Sequence, residues 1–192
     1  MPCLLEFLDL LEKWNRTHNV TAIRDRGEAL EKHLLDSLTP LPLLPVGASL
    51  LDFGSGAGLP GLVLKLYRPD LRLSSLEPVG KKAVFQRQVV RHYQLDRTDI
   101  HTCRLESFAA RKKRNQGFDR VVFRAVGPPE RYAEAACQLL ADRGLLLAMK
   151  GPGADWAWDK SLAQGRLRPL KKIGFTLPYS GSERSLLVWE KL

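Results

Sequence analysis

The sequence predicts an α/β fold: a seven-stranded, mostly parallel sheet whose last strand is antiparallel, preceded by a small helical cap. Three observations carry this. Residues 49–61, SLLDFGSGAGLPG, read as strand, glycine turn and helix start. From there onward short apolar runs alternate with helical patterns, the arrangement of a parallel sheet covered on both faces. Residues 1–46 lack that alternation and carry two helical repeats closed by Pro40, Pro42 and Pro45. The 192 residues are read as one domain, with the cap over 1–46 and the α/β core over 47–192.

Taken in order, Leu4, Phe7, Leu8, Leu11 and Trp14 recur at helical spacing and predict a helix over 4–18. Leu30, His33, Leu34, Leu35 and Leu38 do the same for 28–38. Strands are expected near 49–53, 71–77, 98–103, 119–124, 144–149, 167–176 and 184–190. Helices are expected near 60–68, 80–93, 129–141 and 154–163. Pro60 suits a first helical position because its φ is already fixed there. Turn residues around 178–182 point to a final antiparallel hairpin. No repeat or linker divides the chain.

Composition bounds the partners. Residues 1–50 carry 5 Lys/Arg and 7 Asp/Glu, a net −2, whereas residues 51–192 carry 25 and 14, a net +11. An excess so placed, in a chain of pI ≈ 9.7, suggests a polyanionic partner, nucleic acid first. No apolar run approaches the ~18 residues of a membrane span. The N-terminus lacks a basic segment and carries Glu6, Asp9 and Glu12, which argues against a signal peptide. Cys3, Cys103 and Cys137 are odd in number and scattered, which suits reduced thiols in the cytoplasm and no zinc site.

In an open α/β sheet the ligand lies beyond the carboxyl ends of the strands. The polar residues there are Asp52, Glu77, the run Arg104–Leu105–Glu106, Arg124 and Lys150. Gly54, Gly56, Gly58 and Gly61 precede a helix start whose free N–H groups favour a polar ligand. Residues 56–61 satisfy GxGxxG, the nicotinamide-dinucleotide pattern. Dinucleotide folds, however, run an apolar strand straight into the first glycine, where this chain has Asp52. DxGxGxG with a carboxylate ending the next strand instead resembles the S-adenosylmethionine-dependent methyltransferases, whose cofactor offers an ammonium, a sulfonium and a ribose to carboxylates. Glu77 is placed to accept from both ribose hydroxyls.

The resemblance goes further. WNRTHNVTAIRD at 14–25, HLLDSL at 33–38, LLDFGSGAGLPGLVLKLYRPD at 50–70, GKKAVFQRQV at 80–89, FRA at 123–125 and MKG at 149–151 occur in order. Together they closely resemble the bacterial small-subunit ribosomal RNA guanine-N7 methyltransferases (RsmG, also called GidB), across nearly the whole chain. The resemblance implies a Rossmann-like class I methyltransferase that moves a methyl group from S-adenosyl-L-methionine to one guanine N7 in the decoding region of 16S rRNA. It also implies the small ribosomal subunit as partner and cofactor contacts at Gly54, Leu59, Leu105, Glu106 and Arg124; a cytoplasmic monomer without metal is expected. Asp52, Gly56, Gly58 and Glu77 join that pocket from the strand-end argument. The chain departs from the family in Glu77–Pro78, where Asp-Ser is common, and in Phe123, where a small Ser is common. Family members usually carry one or two more helices upstream.

No catalytic acid or base is expected, since N7 has no proton to lose. The RNA-contact candidates are Lys81, Lys82, the run Arg111, Lys112, Lys113 and Arg114, and Lys150; Arg166, Arg168, Lys171 and Lys172 are ambiguous. The run 111–114 reads equally as a solvated loop. His33 and Asp36, three apart, share a helix face and read as a structural hydrogen-bonded pair or, alternatively, as residues near the substrate mouth. Trp14 and Asn15 are expected to pack and to form a turn. The readings set against a methyltransferase are an RNA-binding module with a vestigial pocket and, remotely, a nicotinamide-dependent oxidoreductase.

Overall fold

The computed structural model describes residues 2–111, 117–152 and 159–192. Helix α1 (Pro2–His18) turns Leu4, Phe7, Leu8 and Leu11 into the core and ends on Arg16 and His18, cations that favour a helix C-terminus. Helix α2 (Arg26–Ala29) is capped by Asp25, whose carboxylate accepts the Glu28 N–H. It runs into a π-helical turn (Leu30–Leu35) and then into α3 (Asp36–Leu38). Single π-turns often mark functional sites, and this one carries Lys32 and His33.

Seven strands follow: β1 (Ser49–Phe53), β2 (Arg72–Leu76), β3 (Thr98–His101), β4 (Phe118–Arg124), β5 (Leu140–Lys150), β6 (Leu167–Thr176) and β7 (Glu183–Lys191). Their order is β3-β2-β1-β4-β5-β7-β6. All neighbours among β1–β5 pair parallel, and β7 pairs antiparallel with both β5 and β6. The last strand is therefore the reversed one, as the sequence predicts. The order turns back between β1 and β4, the point where such sheets bind ligands.

Helices α4 (Gly61–Tyr67), α5 (Gly80–His92), α6 (Leu105–Arg111) and α7 (Pro129–Leu139) connect the strands. One apolar cluster joins α1 and α4 to α5 through Phe7, Leu62 and Phe85; the other fills the opposite face around Phe123, Ala136 and Trp189. Trp14 packs on Phe85 with ring centroids 5.6 Å apart. Asn15 accepts the Thr21 N–H at 3.0 Å and so shapes the turn after α1. Both residues have the structural role expected of them.

Four expectations need correction. Pro60 precedes the first residue of α4 instead of opening it. Residues 105–111 form α6, which the sequence did not suggest. Strand β5 begins at Leu140, directly after α7, not near 144. Of the helix expected over 154–163, residues 154–158 lie outside the described residues. The rest is turn, with Leu162 bridged to Leu167.

Candidate functional site

Register brings the strand ends together. Phe53 lies opposite Leu76 on β2 and Phe123 on β4, and Leu76 lies opposite His101 on β3. Gly54, Glu77 and Arg124 each come one residue beyond that line. The Leu76 carbonyl accepts the N–H groups of Gly54 and Ser55 at 2.8 and 3.2 Å, which bends the chain off β1. Gly54 has φ +65°, and a Cβ there would stand 2.2 Å from Val126 Cγ1, so only glycine fits. Gly56 has φ +57° with nothing within 4 Å of where its Cβ would be, so the loop is open on that side.

Glu77 clasps this loop. Its Oε2 accepts the Gly56 N–H at 2.7 Å and its Oε1 accepts the Val79 N–H at 2.8 Å. Each carboxylate oxygen retains acceptor capacity for a further donor such as a ribose hydroxyl. Behind the loop lies a buried network absent from the sequence reading. Gln86 donates to Ser55 Oγ and to the Gly56 carbonyl, both at 2.8 Å, and accepts the Ser75 hydroxyl at 2.7 Å. A glutamine facing inward from an otherwise basic helix, GKKAVFQRQV, was the available signal.

Asp52 has a different place from the one expected. It is fully buried, and its Oδ2 accepts the Gly61 N–H at 2.7 Å. Burial pushes its carboxyl up to about 7, against the pull of that N–H. It fixes the helix start rather than facing a ligand. Gly58 and Leu59 complete the turn by donating to the Ser55 carbonyl, each at 2.8 Å. Leu105 is buried in the first turn of α6, and Glu106 beside it is exposed.

Arg124, expected at the cofactor, is tied to the cap. Its Nη1 donates to the Lys32 carbonyl at 2.6 Å and to Asp36 Oδ2 at 3.1 Å. Arg184, at the start of β7, stands 3.7 Å from the same oxygen. These contacts, with Glu31 Oε1 accepting the N–H groups of Tyr179 and Ser180 at 2.6 and 3.0 Å, tie the cap to the sheet. His33 pairs with Thr21 Oγ1 at 2.9 Å, not with Asp36, and its Nδ1 is buried without a partner among the described residues. Burial, helped by the Arg124 guanidinium, pushes the His33 imidazole down to about 4, so it is neutral near pH 7.

Beneath the cap, beyond β4 and β5, lies a cleft of ≈ 650 Å³ lined in part by His33, Asp36, Arg124, Met149, Lys150 and Arg184. Lys150 was expected at a phosphate-contacting surface. It is instead 5% exposed, donates to the Gly127 carbonyl at 2.7 Å and sits 4.8 Å from the Phe123 ring centroid. Burial lowers its ammonium to about 7. Of the other RNA candidates, Lys81 is exposed and Lys82 half-buried in the first turn of α5, and Arg111 is exposed at the end of α6. Lys112, Lys113 and Arg114 lie outside the described residues.

The model of the GidB family, rRNA small subunit methyltransferase G, matches residues 1–165. The chain belongs to that family. The ribosomal RNA small subunit methyltransferase G of Syntrophotalea carbinolica is 41% identical, across 98% of this chain and 88% of its own. That of Alkalilimnicola ehrlichii is 43% identical, across 97% and 81%. Among solved structures, the [4+2]-cyclase SpnF superposes with TM-score 0.65 at 14% identity, over 98% of this chain and 94% of its own. Coclaurine N-methyltransferase bound to N-methylheliamine and SAH superposes with TM-score 0.63 at 10% identity, over 97% and 78%. At such identities the likeness is one of fold. In this chain the glycine loop and its carboxylate clasp lie at the sheet's switch point. Among the described residues no helix is long and apolar enough to cross a membrane.

Proposed function

We infer that this GidB-family chain transfers a methyl group from S-adenosyl-L-methionine to N7 of a guanine in 16S rRNA of the small ribosomal subunit, working as a cytoplasmic monomer without metal. Family membership supports an rRNA methyltransferase. The observation that carries the cofactor assignment is the Glu77 carboxylate, held by the Gly56 and Val79 N–H groups with acceptor capacity left over, beside an open glycine loop. Those residues fit a ribose beside the glycine turn.

When bound, S-adenosylmethionine supplies an electrophilic methyl group on a sulfonium. Glu77 would hold the ribose hydroxyls, and the turn Gly54–Leu59 would hold the rest of the cofactor along its backbone, with Leu105 and Glu106 at its far edge. Asp52, Ser55, Ser75 and Gln86 would keep that turn in shape. Guanine N7 presents an in-plane lone pair and carries no proton. The protein therefore has to orient the base and exclude water, with nothing to deprotonate. The cleft beneath the cap is adjacent, because Val126 packs against Gly54 while Ala125 and Gly127 line the cleft. Lys81, Lys82 and Arg111 would meet phosphates outside it. The deciding experiment is methyl transfer from labelled cofactor to unmodified 30S subunits, followed by mapping. Label recovered as N7-methylguanine in 16S rRNA is the expected result, and label on an exocyclic amine or a ribose would overturn the assignment.

A further inference from the structure

Asp36 is 5% exposed, and among the described residues its side-chain contacts run through one carboxylate oxygen. Oδ2 faces Arg124 at 3.1 Å and Arg184 at 3.7 Å. Oδ1 makes no hydrogen bond among the described residues, although Asp36 lines the ≈ 650 Å³ cleft. That volume is typical of small-ligand clefts, about 300–1,000 Å³. Two guanidinium groups, from β4 and β7, compensate the charge and fix the side chain. An interior carboxylate so oriented, with an unused acceptor, fits a ligand that brings a donor.

We propose that Asp36 Oδ1 selects guanine by accepting a hydrogen bond from its exocyclic 2-amino group within the cleft beneath the cap. This rests on the rRNA guanine reading above. Enzymes that act on a base extrude it and read its Watson–Crick edge. Among the four RNA bases only guanine bears an amino group at C2. Its N7 lies on the opposite side of the purine. With the amino edge held in the cap by Asp36, N7 is turned away from the cap. The segment Ala125–Gly127 leads from the cleft to the glycine loop through the packing of Val126 on Gly54. Adenine has a nucleophilic N7 as well but no donor at C2, so it would leave Asp36 Oδ1 without a donor from the base. A site built to bond a substrate donor discriminates strongly for that reason.

Inosine lacks only the 2-amino group and retains N7. The test uses small subunits reconstituted with 16S rRNA ligated to carry guanosine or inosine at the mapped methylation position. Single-turnover methyl transfer by the wild-type chain is expected to be at least about tenfold slower on inosine, the loss of one hydrogen bond to a charged group. In Asp36→Asn the guanosine rate should fall, and the guanosine-to-inosine ratio should shrink below about threefold. Cofactor affinity by calorimetry should stay within about threefold of wild type. A merely structural Asp36 would lower both rates and leave the ratio unchanged, and that result overturns the proposal. Equal wild-type rates on the two substrates overturn it too, and do so even if Asp36→Asn fails to fold. No transfer to either substrate would overturn the functional reading and this assignment with it.

Discussion

Asp52 Oδ2 accepts the Gly61 N–H at 2.7 Å, while Asp52 Oδ1 is buried with no hydrogen-bond partner among the described residues. The carboxylate that ends β1 thus fastens the start of α4, and its environment favours the protonated form. The carboxyl is at about 7 in the folded chain against an ordinary 3.8. A folded state that holds its proton to higher pH than the unfolded chain loses stability as pH rises between the two values. The window here is roughly pH 4 to 7, and each pH unit across it removes at most about 1.4 kcal/mol. Asp52→Asn abolishes that titration. Denaturant unfolding of both proteins at pH 4.5 and pH 8 should show the variant gaining on wild type at the higher pH. An equal difference at the two pH values would mean that the carboxyl is ionised throughout.

Glu77 bonds two loop N–H groups and is the proposed ribose ligand. Glu77→Ala removes the clasp and the acceptors together. Affinity for S-adenosylmethionine should fall at least about tenfold, because a hydrogen bond to a charged group is worth about 1.5–3 kcal/mol. Glu77→Gln should fail similarly, since its amide must turn an N–H donor toward Gly56 or Val79. Calorimetry on a variant with a wild-type circular-dichroism spectrum reads this directly. An unchanged dissociation constant would remove Glu77 from the pocket.

Gln86 is fully buried and holds Ser55, Ser75 and the Gly56 carbonyl. Gln86→Leu is close in volume but takes the donor from the Gly56 carbonyl, at about 1–3 kcal/mol, and leaves the Ser55 and Ser75 hydroxyls to pair with each other. The midpoint of denaturant unfolding should drop, and cofactor affinity should drop with it as Gly56 loosens. Ser75→Ala removes one hydroxyl only and should do less in both assays. A Gln86→Leu variant as stable as wild type would show that water replaces the amide.

The parts that were legible in the sequence are those set by local chemistry or by period. The glycine turn, the strand ends at Asp52 and Glu77, and the reversed last strand all follow from residue type and alternation. What stayed hidden depends on partners distant in sequence. Arg124 shows in the sequence only as a strand-end cation, and the fold alone brings it within 2.6 Å of the Lys32 carbonyl, 92 residues away. Lys150 looks like a surface cation until the Gly127 carbonyl and the Phe123 ring enclose it. Asp52 carries the right charge at the right strand end, and only packing shows that it is fully buried with one oxygen on the Gly61 N–H. Helix α6 is seven residues long, too short for a periodic pattern to stand out.

RNA binding should weaken steeply with salt, because neutralised phosphates release counterions. Arg111 is exposed at the end of α6. Replacing Arg111, Lys112, Lys113 and Arg114 together with Gln should flatten the dependence of log K on log salt for unmodified 30S subunits, and Lys81→Gln with Lys82→Gln should flatten it further. An unchanged slope in the first variant would leave that run as solvated surface.

Methyl transfer to N7 calls for no base, and the charges around the cleft make this testable. His33 is held down at about 4 by burial and Arg124, so it remains neutral from pH 6 to 9. Lys150, lowered to about 7 by burial, does change state in that range, losing its proton as pH rises. Its neutral amine could serve as a base only for a substrate with a proton to give, and N7 has none. The single-turnover rate at saturating cofactor should therefore vary by less than about tenfold between pH 6 and 9. Lys150→Met should lower its level without steepening its slope. His33→Gln, which keeps a polar partner for Thr21, should leave the shape of the profile intact. A rise of tenfold or more through one ionisation, lost in Lys150→Met or His33→Gln, would reveal a proton acceptor at work. The nucleophile would then be an amine or a hydroxyl, and the assignment of N7 would fall with the mechanism.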